Sequence, residues 1–130
     1  MRVGLDVRMP RLHMTDREVA VFADYARRVL IDDRLATWTP PAAGAERTGA
    51  ALYQSLGCRA CHGIARVGGY VGPDLTAVGR RLEPGWIAAW LAAPSRWKPG
   101  TLQPDYGLRP DQVTALTAYL MTLTHREPSR

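Results

Sequence analysis

Cysteine is scarce in this chain of 130 residues: there are two, Cys58 and Cys61, and both fall in one pentapeptide. A structural zinc ion wants about four Cys, His or carboxylate ligands, so one pair without a second leaves such a site half built. A disulfide across so short a loop would constrain little of the unfolded chain. A thioredoxin-like Cys-x-x-Cys needs a βαβ pattern, and no persuasive strand is found in the sequence. Lysine is scarcer still, with Lys98 alone among 17 basic residues. These are scattered rather than run together, which argues against nucleic acid as a partner despite a net charge of +5. No apolar run approaches the length of a transmembrane segment. Met1-Arg2-Val3-Gly4-Leu5-Asp6 lacks the apolar region of a signal peptide. With one phenylalanine against four tryptophans and five tyrosines, aromatics with a polar handle must do much of the packing. The length suits one domain with room for an extra segment.

What is present is more specific than what is missing. Cys58-Arg59-Ala60-Cys61-His62 has the form of a c-type haem attachment site. Two thiols can form thioethers to the porphyrin vinyl groups, and the adjacent imidazole of His62 can reach the iron from the tethered side. One covalently bound haem c would enlarge the modest core that 46% hydrophobic residues permit.

Periodicity places four helices. Thr15-Asp16-Arg17-Glu18 is a capping box, followed by Val19, Phe22, Ala26 and Val29 on one face. Residues 31–44 turn polar and Pro/Ala/Gly-rich, as a linker does. A second helix is expected from about Glu46 to Leu56, ending at Gly57. The stretch 63–81 carries six glycine or proline residues, Gly63, Gly68, Gly69, Gly72, Pro73 and Gly79, and reads as loop alone. Glu83 or Pro84 opens a third helix through Trp86, Ile87, Trp90 and Leu91, and Pro94 stops it. After a second Pro/Gly-rich stretch, Pro110 opens the last helix, with Val113, Leu116, Leu120 and Leu123 at helical spacing. The expected class is all-α: three to four helices with long loops around a cofactor, plus an N-terminal helical extension.

From about Ala45 to Thr124 the pattern resembles class I cytochrome c. Gly49 with Leu52-Tyr53 looks like that family's N-terminal helix, whose glycine lets the C-terminal helix cross closely. Cys58, Cys61 and His62 follow as the attachment motif, with His62 as proximal iron ligand. Gly72-Pro73-Asp74-Leu75 looks like the segment whose proline carbonyl accepts the other N–H of the proximal imidazole, a bond that fixes the tautomer. Leu116, Tyr119 and Leu120 look like the C-terminal helix. The resemblance implies a distal methionine just before a proline, but Lys98-Pro99-Gly100-Thr101-Leu102-Gln103-Pro104 puts Gln103 there. An internal repeat accompanies it: Arg8-Met9-Pro10 with Val19, Phe22 and Tyr25 aligns without gaps to Leu102-Gln103-Pro104 with Val113, Leu116 and Tyr119, at a constant shift of 94 residues. Residues 1–35 then read as an extension resembling the tail of a truncated cytochrome c repeat, 36–44 as linker, and 45–130 as a monohaem domain.

Four states of the sixth iron site are open. Gln103 could ligate through its amide oxygen or hydrogen-bond a water, Met9 could supply the missing thioether, or His13 or His125 could make a bis-histidine haem. Met14 and Met121 read as packing residues. Tyr70, Trp86, Trp90 and Trp97 are candidates to line the haem, and Arg80 and Arg81 to pair with its propionates. The expected function is electron transfer between redox proteins without enzymatic activity, with a haem sensor or haem enzyme as the rival reading. A basic surface suits an acidic redox partner. Residues 1–35 could meet a second haem subunit or a second copy of the chain. Because haem attachment of this type takes place outside the cytoplasmic membrane, a periplasmic or similar location is expected. The lack of a signal peptide then reads as a processed form, a fragment or a truncated product.

Overall fold

The computed structural model describes residues 12–29 and 37–125, and the chain divides into two units, residues 1–34 and 35–130. In the first, α1 spans Asp16–Val29. Its capping box forms as the spacing demands: the Thr15 N–H donates to Glu18 Oε2 at 2.7 Å, and the Glu18 N–H donates back to Thr15 Oγ1 at 3.3 Å. Acidic Asp16 and Glu18 in the first turn and basic Arg27 and Arg28 in the last complement the helix dipole. None of its residues is buried.

The second unit is built around two helices, α2 (Ala45–Ser55) and α6 (Pro110–Thr122), which make the most extensive helix–helix contact of the described residues. Gly49 explains how they approach. A Cβ on it would stand 2.0 Å from the Ala115 carbonyl oxygen and 2.7 Å from Tyr119 Cβ, so only hydrogen fits at the crossing. One turn on, the rings of Tyr53 and Tyr119 meet at 5.5 Å. Tyr53 and Ala115 are buried at this crossing, and Val113, Leu116 and Leu120 are buried along α6. Pro110 supplies the fixed φ of a first helical turn, and the Gln112 side chain accepts the Arg109 N–H at 3.0 Å.

Two short helices and a third of nine residues complete the unit: α3 (Val78–Arg81), α4 (Pro84–Ala92) and α5 (Pro94–Trp97). Val78 and Ile87 join Leu120 in one buried cluster, with Leu75, Leu91, Met121 and Leu123 around it. This docks α3 and α4 on α6.

The all-α class is borne out, with corrections at the short elements. The stretch expected to be loop alone holds α3 and a small antiparallel pair, β1 (Gly63–Ile64) and β2 (Val67–Gly68), in register Gly63 with Gly68. Its turn runs through Ala65 and Arg66 at φ 48° and 65°, the mirror-image geometry that matches strand twist. Pro94 does stop α4, but it also opens α5, because a proline that cannot continue one helix suits the first turn of the next. Six helices therefore stand among the described residues, α1 as the expected N-terminal extension and five in the second unit, of which α3 and α5 are single turns of four residues.

Candidate functional site

Both cysteines and His62 sit at the end of α2, where the chain tightens into a 3₁₀ turn, Cys58–Ala60. The Cys61 and His62 N–H groups both donate to the Cys58 carbonyl, at 3.2 and 3.0 Å, so the two thiols and the imidazole share one turn. Both thiols are free, Cys58 half-buried and Cys61 exposed. Burial pushes the Cys58 thiol above its ordinary value, an effect its own backbone hydrogen bond reduces and the nearby Cys61 charge enlarges.

The loop after the hairpin closes over this turn. The Gly72 N–H donates to the Cys61 carbonyl at 2.8 Å, and the Leu75 N–H to the Gly63 carbonyl at 2.8 Å. These bonds bring the Pro73 carbonyl to 2.8 Å from His62 Nδ1. A carbonyl only accepts, so Nδ1 carries the proton and Nε2 keeps its lone pair. Gly72 forms a wall of the imidazole's slot: a Cβ there would lie 2.4 Å from His62 Cε1 and 2.6 Å from Nδ1. On the other side, Gln103 Oε1 stands 3.4 Å from His62 Nε2.

The structure thus brings Cys58, Cys61, His62, Pro73 and Gln103 together. It places the other candidates differently. Trp97 packs edge-on against Trp86 at 5.0 Å and donates its indole N–H to the Ala89 carbonyl at 3.0 Å, while Trp90 lies 6.0 Å from Trp86. These three form an aromatic group of their own on α4 and α5. Arg81 donates to the Asp74 carbonyl oxygen, bracing the loop that carries Pro73, and Arg80 is exposed. Tyr70 is 91% exposed. His13 and His125 are exposed, as is Met14, and Met121 packs at the α3–α6 contact. Met9 lies outside the described residues.

Two residues of the site escape sequence reasoning. Tyr106, three residues after Gln103, has its hydroxyl held above the ordinary tyrosine value by burial first, then by the charges of Cys58 and Cys61. Tyr53 is buried, and its hydroxyl donates to the His62 carbonyl at 3.4 Å. Burial, then the Cys58 charge, pushes it up to about 12. Tyr106 could be suspected only from its nearness to Gln103, and the resemblance names Tyr53 as part of the N-terminal helix without a role at His62.

The donor set fits a haem. Two free thiols three positions apart can take two thioether bonds, and a neutral imidazole with Nδ1 tied back offers Nε2 to a metal. Exposed apolar side chains next to these groups in sequence, Val71 and Leu102 at 63% and 83%, are of the kind a flat macrocycle covers. Fold and site together define a small helical domain that holds a covalently attached haem for electron transfer. The cytochrome c family model matches residues 46–124, and the chain belongs to that family. A search of curated proteins gave no match.

Proposed function

We propose that this protein is a monohaem cytochrome c that passes single electrons between redox proteins, without enzymatic activity of its own, outside the cytoplasmic membrane. The observation that carries this reading is the contact between His62 Nδ1 and the Pro73 carbonyl, which prepares the imidazole as a ligand within one turn of both cysteines. Bound haem supplies a one-electron ferric–ferrous couple whose potential is set by ligands, burial and nearby charge. The chain's own residues hold and tune that couple. Cys58 and Cys61 each add their S–H across a vinyl group, giving a thioether with no net oxidation. Pro73 keeps the His62 proton on Nδ1 and so makes Nε2 a better donor. Gly72 leaves the imidazole room to hold that orientation.

The net charge of +5 favours a partner with an acidic docking face and a small, transient interface. Among the described residues no helix is long and apolar enough to cross a membrane. Residues 1–35 are the tail of a second cytochrome c fold on this reading. α1 starts at Asp16 and α6 at Pro110, the same shift of 94 residues that relates their side chains. The test is a pyridine haemochrome assay with a redox titration on protein matured in a host that attaches haem. One haem per chain and a one-electron transition are expected. A colourless product of purely polypeptide mass would overturn the reading, and fast turnover of peroxide would move it to the enzyme class.

A further inference from the structure

We propose that Gln103 is the second axial ligand of the haem iron, coordinating through its amide oxygen Oε1 opposite His62 Nε2. The inference rests on the haem reading and goes one step past it. Pro73 fixes the proton on His62 Nδ1, at 2.8 Å, so the atom facing Gln103 is a bare lone pair. The group facing that lone pair, 3.4 Å away, is another acceptor oxygen. Two acceptors with no proton between them repel. A cation between them turns the same arrangement into two bonds.

The spacing suits this. First-row metals bind imidazole nitrogen and side-chain oxygen at about 2.0–2.2 Å, so two donors on opposite sides of one ion stand about 4 Å apart. The observed 3.4 Å is within a small side-chain rotation of that separation.

The loop is also built to present the amide. The Thr101 N–H donates to the Lys98 carbonyl at 3.1 Å, and the Gln103 N–H donates to Thr101 Oγ1 at 3.2 Å. Pro104 fixes the backbone that follows. Gln103, a polar residue in this loop, is half-buried against the imidazole. The two imidazoles that could compete, His13 and His125, are both exposed. A neutral, hard oxygen ligand favours ferric iron relative to a thioether, so the potential should lie below that of the methionine-ligated form.

The experiment uses the haem-loaded full chain and compares it with Gln103→Ala and Gln103→Met. The wild type should show no ferric thioether charge-transfer band at the red end of the spectrum. Gln103→Met should gain that band and a higher midpoint potential. Ferrous Gln103→Ala should bind carbon monoxide at least roughly tenfold more tightly, since no internal ligand has to be displaced. Gln103→Glu keeps an oxygen donor at the same place. It should retain the wild-type spin state with a lower potential, and it serves as the oxygen-ligated reference where the alanine variant does not fold. A thioether band in the wild type, a bis-histidine magnetic signature, or unchanged spectra and carbon monoxide affinity in Gln103→Ala would each overturn the assignment. Because all of these results require attached haem, they leave the cytochrome reading standing, whereas a colourless chain would sink that reading first.

Discussion

Two residues outside the haem motif show how single polar groups set local stability. The Thr117 hydroxyl is fully buried on α6 and has no hydrogen-bond partner among the described residues. Burying an unsatisfied hydroxyl costs about 1–3 kcal/mol, and an apolar group of the same shape removes that cost. Thr117→Val should therefore leave the haem spectrum unchanged and stabilise the protein by about 1 kcal/mol, read as a higher midpoint in thermal unfolding. A lower midpoint would show that the hydroxyl has a partner in the loaded protein. Glu18 illustrates the opposite case, a polar group whose partners are in place. Its carboxylate is held below its ordinary value of 4.5, first by the Thr15 N–H and then by the Thr15 hydroxyl. A folded value lowered in this way means that the stabilisation is complete above pH 4.5 and is lost as the pH falls through the lowered value. The first turn of α1 should fray in that acidic window, seen as rising amide exchange at Val19 and Ala20. Glu18→Gln, which removes the titrating carboxylate, should abolish the pH dependence. Persistence of the acid step in that variant would assign it to another group.

At the scale of elements, the α2–α6 crossing depends on one missing side chain. Gly49→Ala puts a methyl group where the Ala115 carbonyl oxygen and Tyr119 Cβ already stand, and backbone cannot swing aside as a flexible side chain can. A destabilisation of about 3 kcal/mol is expected, measured by denaturant titration, with the two helices separating enough to disturb the Tyr53–Tyr119 contact. Exchange of Gly57 for Ala, where nothing lies within 4 Å of an added Cβ, is the control for the loss of glycine itself, although the φ of 69° there carries its own backbone cost. The same elements show what could be read in advance. α4 and α6 announce themselves because a proline opens each and apolar residues recur on one face. The β1–β2 pair does not: strands of two residues have no period, and Ala65-Arg66 lacks the Asn-Gly chemistry that usually marks such a turn. α3 is hidden by Gly79, which is present because its Cβ would strike the Met121 carbonyl. Within the site, the haem motif is legible because its three groups are contiguous, and Gln103 because it stands just before a proline. The Gly72 wall and Tyr106 depend on how the loops close over the 3₁₀ turn, which no local pattern encodes.

At the scale of the molecule, α1 is the element whose apolar face stays exposed among the described residues. Val19, Phe22, Tyr25 and Val29 are each more than half exposed. Shifted by 94 residues, Val19, Phe22 and Tyr25 fall on Val113, Leu116 and Tyr119; Val113 and Leu116 are buried on α6, and Tyr119 meets Tyr53 of α2. α6 needs a helix with a glycine at the crossing, so a helix built on the same pattern should need one too. The α2 of this chain is already engaged with α6, which makes the expected cover of α1 an α2-like helix from a second cytochrome c fold. A peptide spanning residues 44–57 is the simplest probe of that surface. It should bind the haem-loaded chain with a gain in helicity, bind at least about tenfold more weakly when Gly49 in the peptide is replaced by Leu, and lose affinity equally when Phe22→Asp is placed in the protein. Equal binding of the glycine and leucine peptides would mean that α1 accepts any apolar helix, and the likeness between α1 and α6 would then be one of pattern without a shared mode of packing.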